Sequence, residues 1–358
     1  MSAATATGDS TLADVGDVRQ NHRFDEARLS AYLEKSIAGF RGPIAVTQFS
    51  RGQSNPTFLV TGASGRYVLR KKPPGDLLPT AHQIEREYRL LRALQGTSVP
   101  VPAAHLLCED TDIIGTAFYV MDFLDGRIFR NPTLPGLTRE ERRGVFAAMA
   151  EAMAQLHAFD WQAAGLASFG KPQEYIKRQI SRWTRQYEAT KSEKNEALDR
   201  LVEWLPAHIP AAEVTTIAHG DFHLQNLVFH PTQSKVIGIL DWELATLGHP
   251  LSDLAYNCMI YHLPGSTLNL GGLMDSDLGS LGIPGEREYV DIYCRQAGIG
   301  HVDDWNFYLA FAFFRCAAIA QGIHARAVQG IASAANALEV GRLAWPLAEA
   351  GWRQVTAR

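Results

Sequence analysis

At 358 residues, with 46% of them hydrophobic, 20% charged and a formal net charge of −4, the chain has an ordinary globular composition. Its length exceeds one small core and fits two lobes, and its mild acidity argues against a nucleic-acid binder, which would show a concentrated basic stripe. Four cysteines scattered without CxxC spacing (Cys108, Cys258, Cys294, Cys316) indicate neither a zinc site nor a disulfide framework and suit a reducing cytoplasm.

The opening stretch "MSAATATGDSTLADVGDVRQ" has neither a basic region nor an apolar core, so it is no signal peptide. Residues 1–24 read as a disordered leader. Asp25 is a candidate N-cap for a helix through "EARLSAYLEKSIAGF", where Leu29, Leu33 and Ile37 share a face. After Gly42 and Pro43 the pattern turns to strands. "IAVTQFS", "TFLVTG" and "SGRYVLRKKP" predict a three-strand meander, with "RGQSNP" as its first turn. A second helix is predicted in "AHQIEREYRLLRALQ", with Ile84, Tyr88, Leu91 and Leu94 at helical spacing, and "TAFYVMDFLDG" is a further β-rich stretch. From about Thr138 onward the chain is mostly helical, interrupted by strands near residues 217–240. Apolar stretches such as "VFAAMAEAMAQLHAF" are broken by Glu151, Gln155 and His157. No run of about 18 apolar residues is found, so no membrane span is expected. The expected architecture is α+β: a β-rich lobe over residues 25–124, a boundary near residues 124–126, and a large helical lobe over residues 125–358.

The segment "IAHGDFHLQNLVFHPTQSKVIGILDWELATLGHP" carries the chemistry. "NLVFH" and "VIGILD" predict the two strands of a hairpin, with "PTQS" as its turn. Asp221, Asn226 and Asp241 stand at the ends of these apolar strands, where hydrophobic residues would stabilise them better. Phosphoryl transfer gives that placement a reason, because it needs a positioned nucleophile and metal-neutralised phosphates more than covalent help. An Asp in the loop accepts or orients the acceptor hydroxyl. The later Asn and Asp supply hard oxygen ligands of the kind Mg²⁺ prefers. His219 is expected to hydrogen-bond loop backbone, and His223 lies in the same loop within reach of a substrate. Glu243 either lines the pocket or forms a salt bridge. Asp253, in "HPLSDLAY", reads as the cap of a helix from Leu254, and His157 as a core histidine.

"HGDFHLQN" and "ILDWE" resemble the catalytic and metal-binding loops of the aminoglycoside phosphotransferase and choline kinase superfamily, relatives of protein kinases. The resemblance implies a two-lobed protein-kinase-like fold, ATP and Mg²⁺ as cofactors, Asp221 as catalytic residue, and Asn226 and Asp241 as metal ligands. "GQSNPTF", "YVLRKKPPG", "AHQIEREY" and "VPVP" further resemble the kinase domain found beside acyl-CoA dehydrogenase domains, over roughly residues 29–326. That match implies Arg70 as the phosphate cation where the family Lys would stand, with Glu87 as its partner in preference to Glu85. Lys71 would face the other side of the strand. The GxGxxG loop of protein kinases is reduced to Gly52, and backbone N–H groups of Gly52, Gln53, Ser54 and Asn55 are candidates to cradle phosphate. Met121, Asp122 and Leu124 in "VMDFLDG" would form the hinge, with main-chain groups of the latter two meeting the adenine edge.

The implied activity is ATP-dependent phosphorylation of a hydroxyl on a small molecule, a hydroxyacyl-CoA or hydroxy acid by the closer resemblance. "WNFYLAFAFFRCAAIAQGIHAR" combines aromatics with Arg315 and Arg326, which suits an acyl or anionic substrate. Trp305, Tyr308 and Arg315 therefore join His223 and Glu243 as candidate substrate contacts. The alternatives are an aminoglycoside or choline-type kinase, whose cationic substrate asks for an acidic pocket, and a non-catalytic pseudokinase, which the filled Asp/Asn/Asp positions disfavour. Acyl-CoA dehydrogenase chemistry has no use for these residues. Neither a nucleic acid nor a membrane is expected as a partner, and the oligomeric state is left open.

Overall fold

The computed structural model describes residues 9–50, 55–73, 83–191, 193–268, 271–332 and 336–356. The chain divides into two units, one of Met1–Arg130 with Leu224–Ala245 and the other of Asn131–His223 with Thr246–Arg358. The first unit thus runs past the expected end at residue 124 and includes the hairpin that the sequence reading placed in the helical lobe.

In the first unit, the predicted meander forms as Ala45–Phe49, Thr57–Gly62 and Gly65–Lys71. These strands join a six-stranded antiparallel sheet that continues through Phe118–Asp122 to Ala104–Cys108. Successive side chains on a strand point to opposite faces, and this decides the roles of neighbours here. Leu69 lies opposite Val120 and packs with Phe58, Val60, Phe118, Leu29, Leu33 and Phe40 in one apolar cluster. Arg70 lies opposite Tyr119, on the other face. Lys71 returns to the apolar face, where its ammonium stands 5.4 Å from the Phe24 ring and 5.8 Å from that of Phe58. Two helices flank the three-strand meander in sequence. Glu26–Ser36 is capped by Asp25, whose carboxylate accepts the Arg28 N–H at 2.9 Å. Ile84–Leu94 turns Ile84, Glu87, Leu90, Leu91 and Leu94 inward, so a carboxylate sits among its buried residues.

A second antiparallel sheet in this unit has the order Asp9–Ser10, Arg127–Ile128, Leu227–Phe229, Val236–Ile239. It corrects the expectation of a disordered leader, since residues 9–24 are placed. Asp9–Ser10 pairs with Arg127–Ile128, and Val15–Gly16 pairs with Gln48 and Phe49. Arg130 forms ion pairs with both Asp9 and Asp14. Strand pieces of two residues leave no periodicity to read, and the ion pairs that hold them join residues far apart in sequence.

The second unit is helical, with Arg139–His157, Tyr175–Thr190, Glu196–Ala207, Pro250–Cys258, Glu286–Ala297, Trp305–Val328 and Ala344–Thr356 as its longer elements. Arg139–His157 opens on a capping box, Thr138 and Glu141 satisfying each other's backbone N–H groups. Trp305–Val328 packs against Tyr175–Thr190, Pro250–Cys258 and Ala344–Thr356. This helix is long and apolar enough by length and mean hydropathy to cross a membrane, but 83% of that window is buried inside the protein, the pattern of a core helix. A two-stranded antiparallel ladder, Thr216–Ala218 with Thr246–Gly248, holds the start of the "HGD" loop.

Candidate active site

The first unit gathers one cation and three carboxylates. The Arg70 guanidinium donates from Nη2 to Asp241 Oδ1 at 2.8 Å and lies 3.6 Å from Glu243 Oε2. Its Nε stands 3.1 Å from Glu87 Oε2, at ion-pair distance although the N–H is not aimed at the oxygen. Glu85 instead pairs with Lys72. Glu87, only 2% exposed, also accepts from Tyr119 Oη at 3.0 Å and from Asn55 Nδ2 at 3.0 Å. Burial pushes the Glu87 carboxyl up to about 7, with Arg70 and Tyr119 acting against burial and Asp241 and Glu243 adding to it. Burial also opposes the Arg70 charge, but Glu87, Tyr119 and Asp241 outweigh it and hold the guanidinium firmly protonated. Such a pair, once formed, costs roughly 3–5 kcal/mol to break from one side.

Asp241 follows the Val236–Ile239 strand in a left-handed backbone conformation, φ 63° and ψ 65°. That conformation costs a non-glycine residue roughly 1–2 kcal/mol and is best tolerated by Asn and Asp. The Trp242 indole, donating to the Ile239 carbonyl at 2.9 Å, fixes the turn that follows. Asn226 is brought to the same end of the hairpin by a backbone hydrogen bond, Leu240 N–H to the Asn226 carbonyl at 2.8 Å. Asn226 and Asp241 therefore lie at the same end of the hairpin backbone. Among the described residues no group of three or more His, Cys, Asp or Glu side chains is arranged to hold a metal by itself. This sparse, all-oxygen donor set fits Mg²⁺, which keeps several waters and shares its coordination with substrate phosphates; it does not fit zinc.

In the second unit, the loop of residues 219–221 is held by charged groups that local sequence does not reveal. Asp253 accepts the His219 N–H at 2.6 Å and the Gly220 N–H at 2.9 Å. Gly220 takes φ 81°, a conformation that glycine adopts without strain. His219 Nδ1 accepts the Asp221 N–H at 3.2 Å, a loop-backbone role. Asp221 Oδ1 accepts from Tyr256 Oη at 2.7 Å, and Oδ2 lies 3.4 Å from His223 Nε2. Burial would raise the Asp221 carboxyl, but His223, Tyr256 and His219 outweigh it and hold the group well below the usual carboxylate range. The His157 side chain is 4% exposed, with Nδ1 2.8 Å from Tyr293 Oη and Nε2 3.3 Å from Asp253.

Several sequence-predicted positions fall elsewhere. Gly52, Gln53 and Ser54 lie outside the described residues. Asn55 is fully buried, and its side chain donates to Glu87. Met121 is laddered between Val68 and Ala104. The Asp122 N–H is committed to the Ala103 carbonyl at 2.9 Å, and its carboxylate lies 2.6 Å from His105 Nε2. Leu124 leans into space left by Gly238, where an added Cβ would meet Leu124 Cδ1 at 2.1 Å. The expected substrate face on Trp305–Val328 is a packing face. The Trp305 indole donates to Glu286 at 3.0 Å, Tyr308 is 2% exposed and stacked on His249, and Arg315 is buried on the Gly220 carbonyl. Apolar residues on a helix surrounded by other helices go to the core whatever the substrate. Asp253 is no cap: His249 caps the helix and Pro250 opens it. Pro at the first helical position was the available signal that Asp253 points inward from the first turn. Tyr256 carried no signal of its own.

Comparison with known proteins gives the family. The profile of the phosphotransferase enzyme family matches residues 45–289. Acyl-CoA dehydrogenase family member 10 of Mus musculus is 47% identical over 94% of this chain and 31% of its own length. Acyl-CoA dehydrogenase family member 11 of Homo sapiens is 43% identical over 97% of this chain and 44% of its own length. The chain thus spans less than half of these curated relatives. A crystal structure from Ralstonia eutropha, assigned by name to the aminoglycoside phosphotransferases, is 46% identical with a TM-score of 0.86, covering 93% of this chain and 99% of that one. Choline kinase from Cryptosporidium parvum shares the fold at a TM-score of 0.64 and 14% identity, covering 93% of this chain and 96% of that one. With its two-lobed, protein-kinase-like α+β fold, the chain belongs to the phosphotransferase enzyme family.

Proposed function

We propose that the chain transfers the γ-phosphoryl group of ATP to a hydroxyl of a small acyl compound, such as a hydroxyacyl-CoA or hydroxy acid. The observation that carries the ATP half is the 2.8 Å pair of Arg70 and Asp241, a phosphate-type cation and a metal-type ligand converging in one unit. Asn226 and Asp241 would hold Mg²⁺, which neutralises phosphate charge when bound. Arg70, oriented by Glu87, would contact the phosphates, and main-chain groups near Asp122 and Leu124 would meet the adenine edge. The acceptor hydroxyl gives its proton to Asp221, its oxygen bonds to the γ-phosphorus, and the bond from that phosphorus to the bridging oxygen breaks to release ADP. A carboxyl held well below its usual range remains ionised and able to receive that hydrogen bond at neutral pH.

The acyl half rests on the kinship with chains named for acyl-CoA dehydrogenases. Phosphorylating a hydroxyl turns it into a leaving group, a sensible preparation for elimination. Four unpaired cysteines suit the reducing cytoplasm in which this reading places the protein. The test is an ATP-consumption screen with Mg²⁺ across hydroxyacyl-CoAs, hydroxy acids, choline, ethanolamine, aminoglycosides and simple sugars. ADP release stimulated by the hydroxyacyl compounds is the expected result. Stimulation by cationic amino-alcohols or aminoglycosides alone overturns the acyl acceptor, and failure to bind Mg·ATP in calorimetry overturns the kinase reading itself.

A further inference from the structure

Arg315 lies in the middle of a helix whose other inward residues are chiefly aromatic or alanine, and it is 8% exposed. Among the described residues no carboxylate stands within ion-pair distance of it. Its Nη2 donates instead to the Gly220 carbonyl, and its guanidinium lies 5.5 Å from the centre of the Tyr256 ring. A charge buried this deeply against a neutral carbonyl is a poor stability device, because a Leu or Met there would pack without the desolvation cost. The geometry points to another use.

The Gly220 residue is gripped at both of its polar atoms. Asp253 takes its N–H at 2.9 Å, and Arg315 takes its carbonyl. Opposite charges on the two sides of one glycine fix its φ of 81°, and the next residue in the chain is Asp221. Arg315 also faces the ring of Tyr256, whose hydroxyl lies 2.7 Å from Asp221 Oδ1. Tyr256 is a donor at any working pH, since burial and then the Asp221 charge keep its phenol from ionising. One guanidinium therefore bonds the backbone that leads into Asp221 and lies within cation–π range of the side chain that holds its carboxylate.

We propose that Arg315 is a positioning residue for phosphoryl transfer, aiming the Asp221 carboxylate through the Gly220 carbonyl and the Tyr256 phenol. The proposal rests on Asp221 as the residue that receives the acceptor's proton. It replaces the substrate contact that composition suggested for Arg315, and it gives a role to an arginine where lysine would carry the same charge. Only a planar guanidinium offers one edge to a carbonyl and a face to an aromatic ring.

The test uses Arg315→Lys, Tyr256→Phe and Asp221→Asn, singly and in pairs, in single-turnover hydrolysis of radiolabelled Mg·ATP with enzyme in excess and water as the acceptor. Arg315→Lys and Tyr256→Phe should each slow the step by on the order of 10-fold to 100-fold, while the Mg·ATP concentration for half-saturation stays within about twofold. In the Asp221→Asn background neither should add a further loss, because both act through that carboxylate. Tyr256→Phe removes a single oxygen and keeps the test available if Arg315→Lys folds poorly. A lowered melting temperature with an unchanged rate, or losses that multiply with that of Asp221→Asn, overturns the proposal and leaves the catalytic reading standing. A wild-type rate in Asp221→Asn overturns both.

Discussion

Replacing Glu87 with Gln removes a titration while keeping the volume of a side chain that is 2% exposed. The carboxyl is raised from 4.5 to about 7, foremost by burial, with Arg70 opposing and Asp241 and Glu243 reinforcing the rise. At roughly 1.4 kcal/mol per pH unit, that shift corresponds to about 3 kcal/mol. The sign follows from proton counting. A carboxyl with a folded pKa above its unfolded value binds more protons in the folded state, so its contribution to stability is full below pH 4.5 and is lost as pH rises through about 7. Wild-type protein should therefore lose about 3 kcal/mol more than Glu87→Gln between about pH 4.5 and about pH 8. Urea unfolding followed by tryptophan fluorescence across that window measures both curves. Parallel curves would refute the reasoning, for they would mean that Arg70, Tyr119 and Asn55 keep Glu87 ionised throughout. The same titration bears on function, because protonating Glu87 loosens the partner that orients Arg70.

Three further outcomes are expected. Asp241→Ala should abolish the Mg²⁺-dependent part of nucleotide binding in calorimetry, whereas Asp221→Asn should bind Mg·ATP normally and lose most of its turnover; equal ATP affinity in wild type and Asp241→Ala would contradict the metal assignment. Gly126→Ala places a Cβ 2.4 Å from the Phe229 carbonyl oxygen and 2.6 Å from Val228 Cγ1, and the melting temperature should fall as for an overpacked core, about 1–3 kcal/mol. Arg70→Lys keeps the charge but not the fork that reaches Glu87 and Asp241, so it should raise the KM for ATP, while Glu85→Gln, which touches only Lys72, should leave it unchanged.

The sheet of the first unit was readable because strand alternation and turn residues are local. "TFLVTG" maps onto Thr57–Gly62 without adjustment, and Asp25 caps its helix as its residue type suggests. The same two-residue period separated Arg70 from Lys71. What stayed hidden is non-local. Asp253 is bonded to amides more than 30 positions earlier in the chain, and Arg315 to a carbonyl 95 positions earlier. Neither partnership leaves a pattern in a window of 18 residues or fewer. Composition even misled at Trp305–Val328, since an apolar helix with an arginine looks alike whether it lines a pocket or fills a core.

The first unit is discontinuous, and that has a consequence for how the chain is made. Its four-stranded sheet needs Asp9–Ser10 and Arg127–Ile128 together with Leu227–Phe229 and Val236–Ile239, so the whole of residues 131–223 is synthesised before the sheet can close. At roughly 5–20 residues per second, the nascent chain spends seconds with the Arg127–Ile128 strand unpaired on its hairpin side. A fragment ending at Arg130 would have the Arg70–Glu87 pair but neither the hairpin nor Asp241, and its edge would be open to another chain. The lobe that resembles an independent module is therefore not one: it completes late, through long-range pairing of the kind that makes folding slow and exposes intermediates to aggregation.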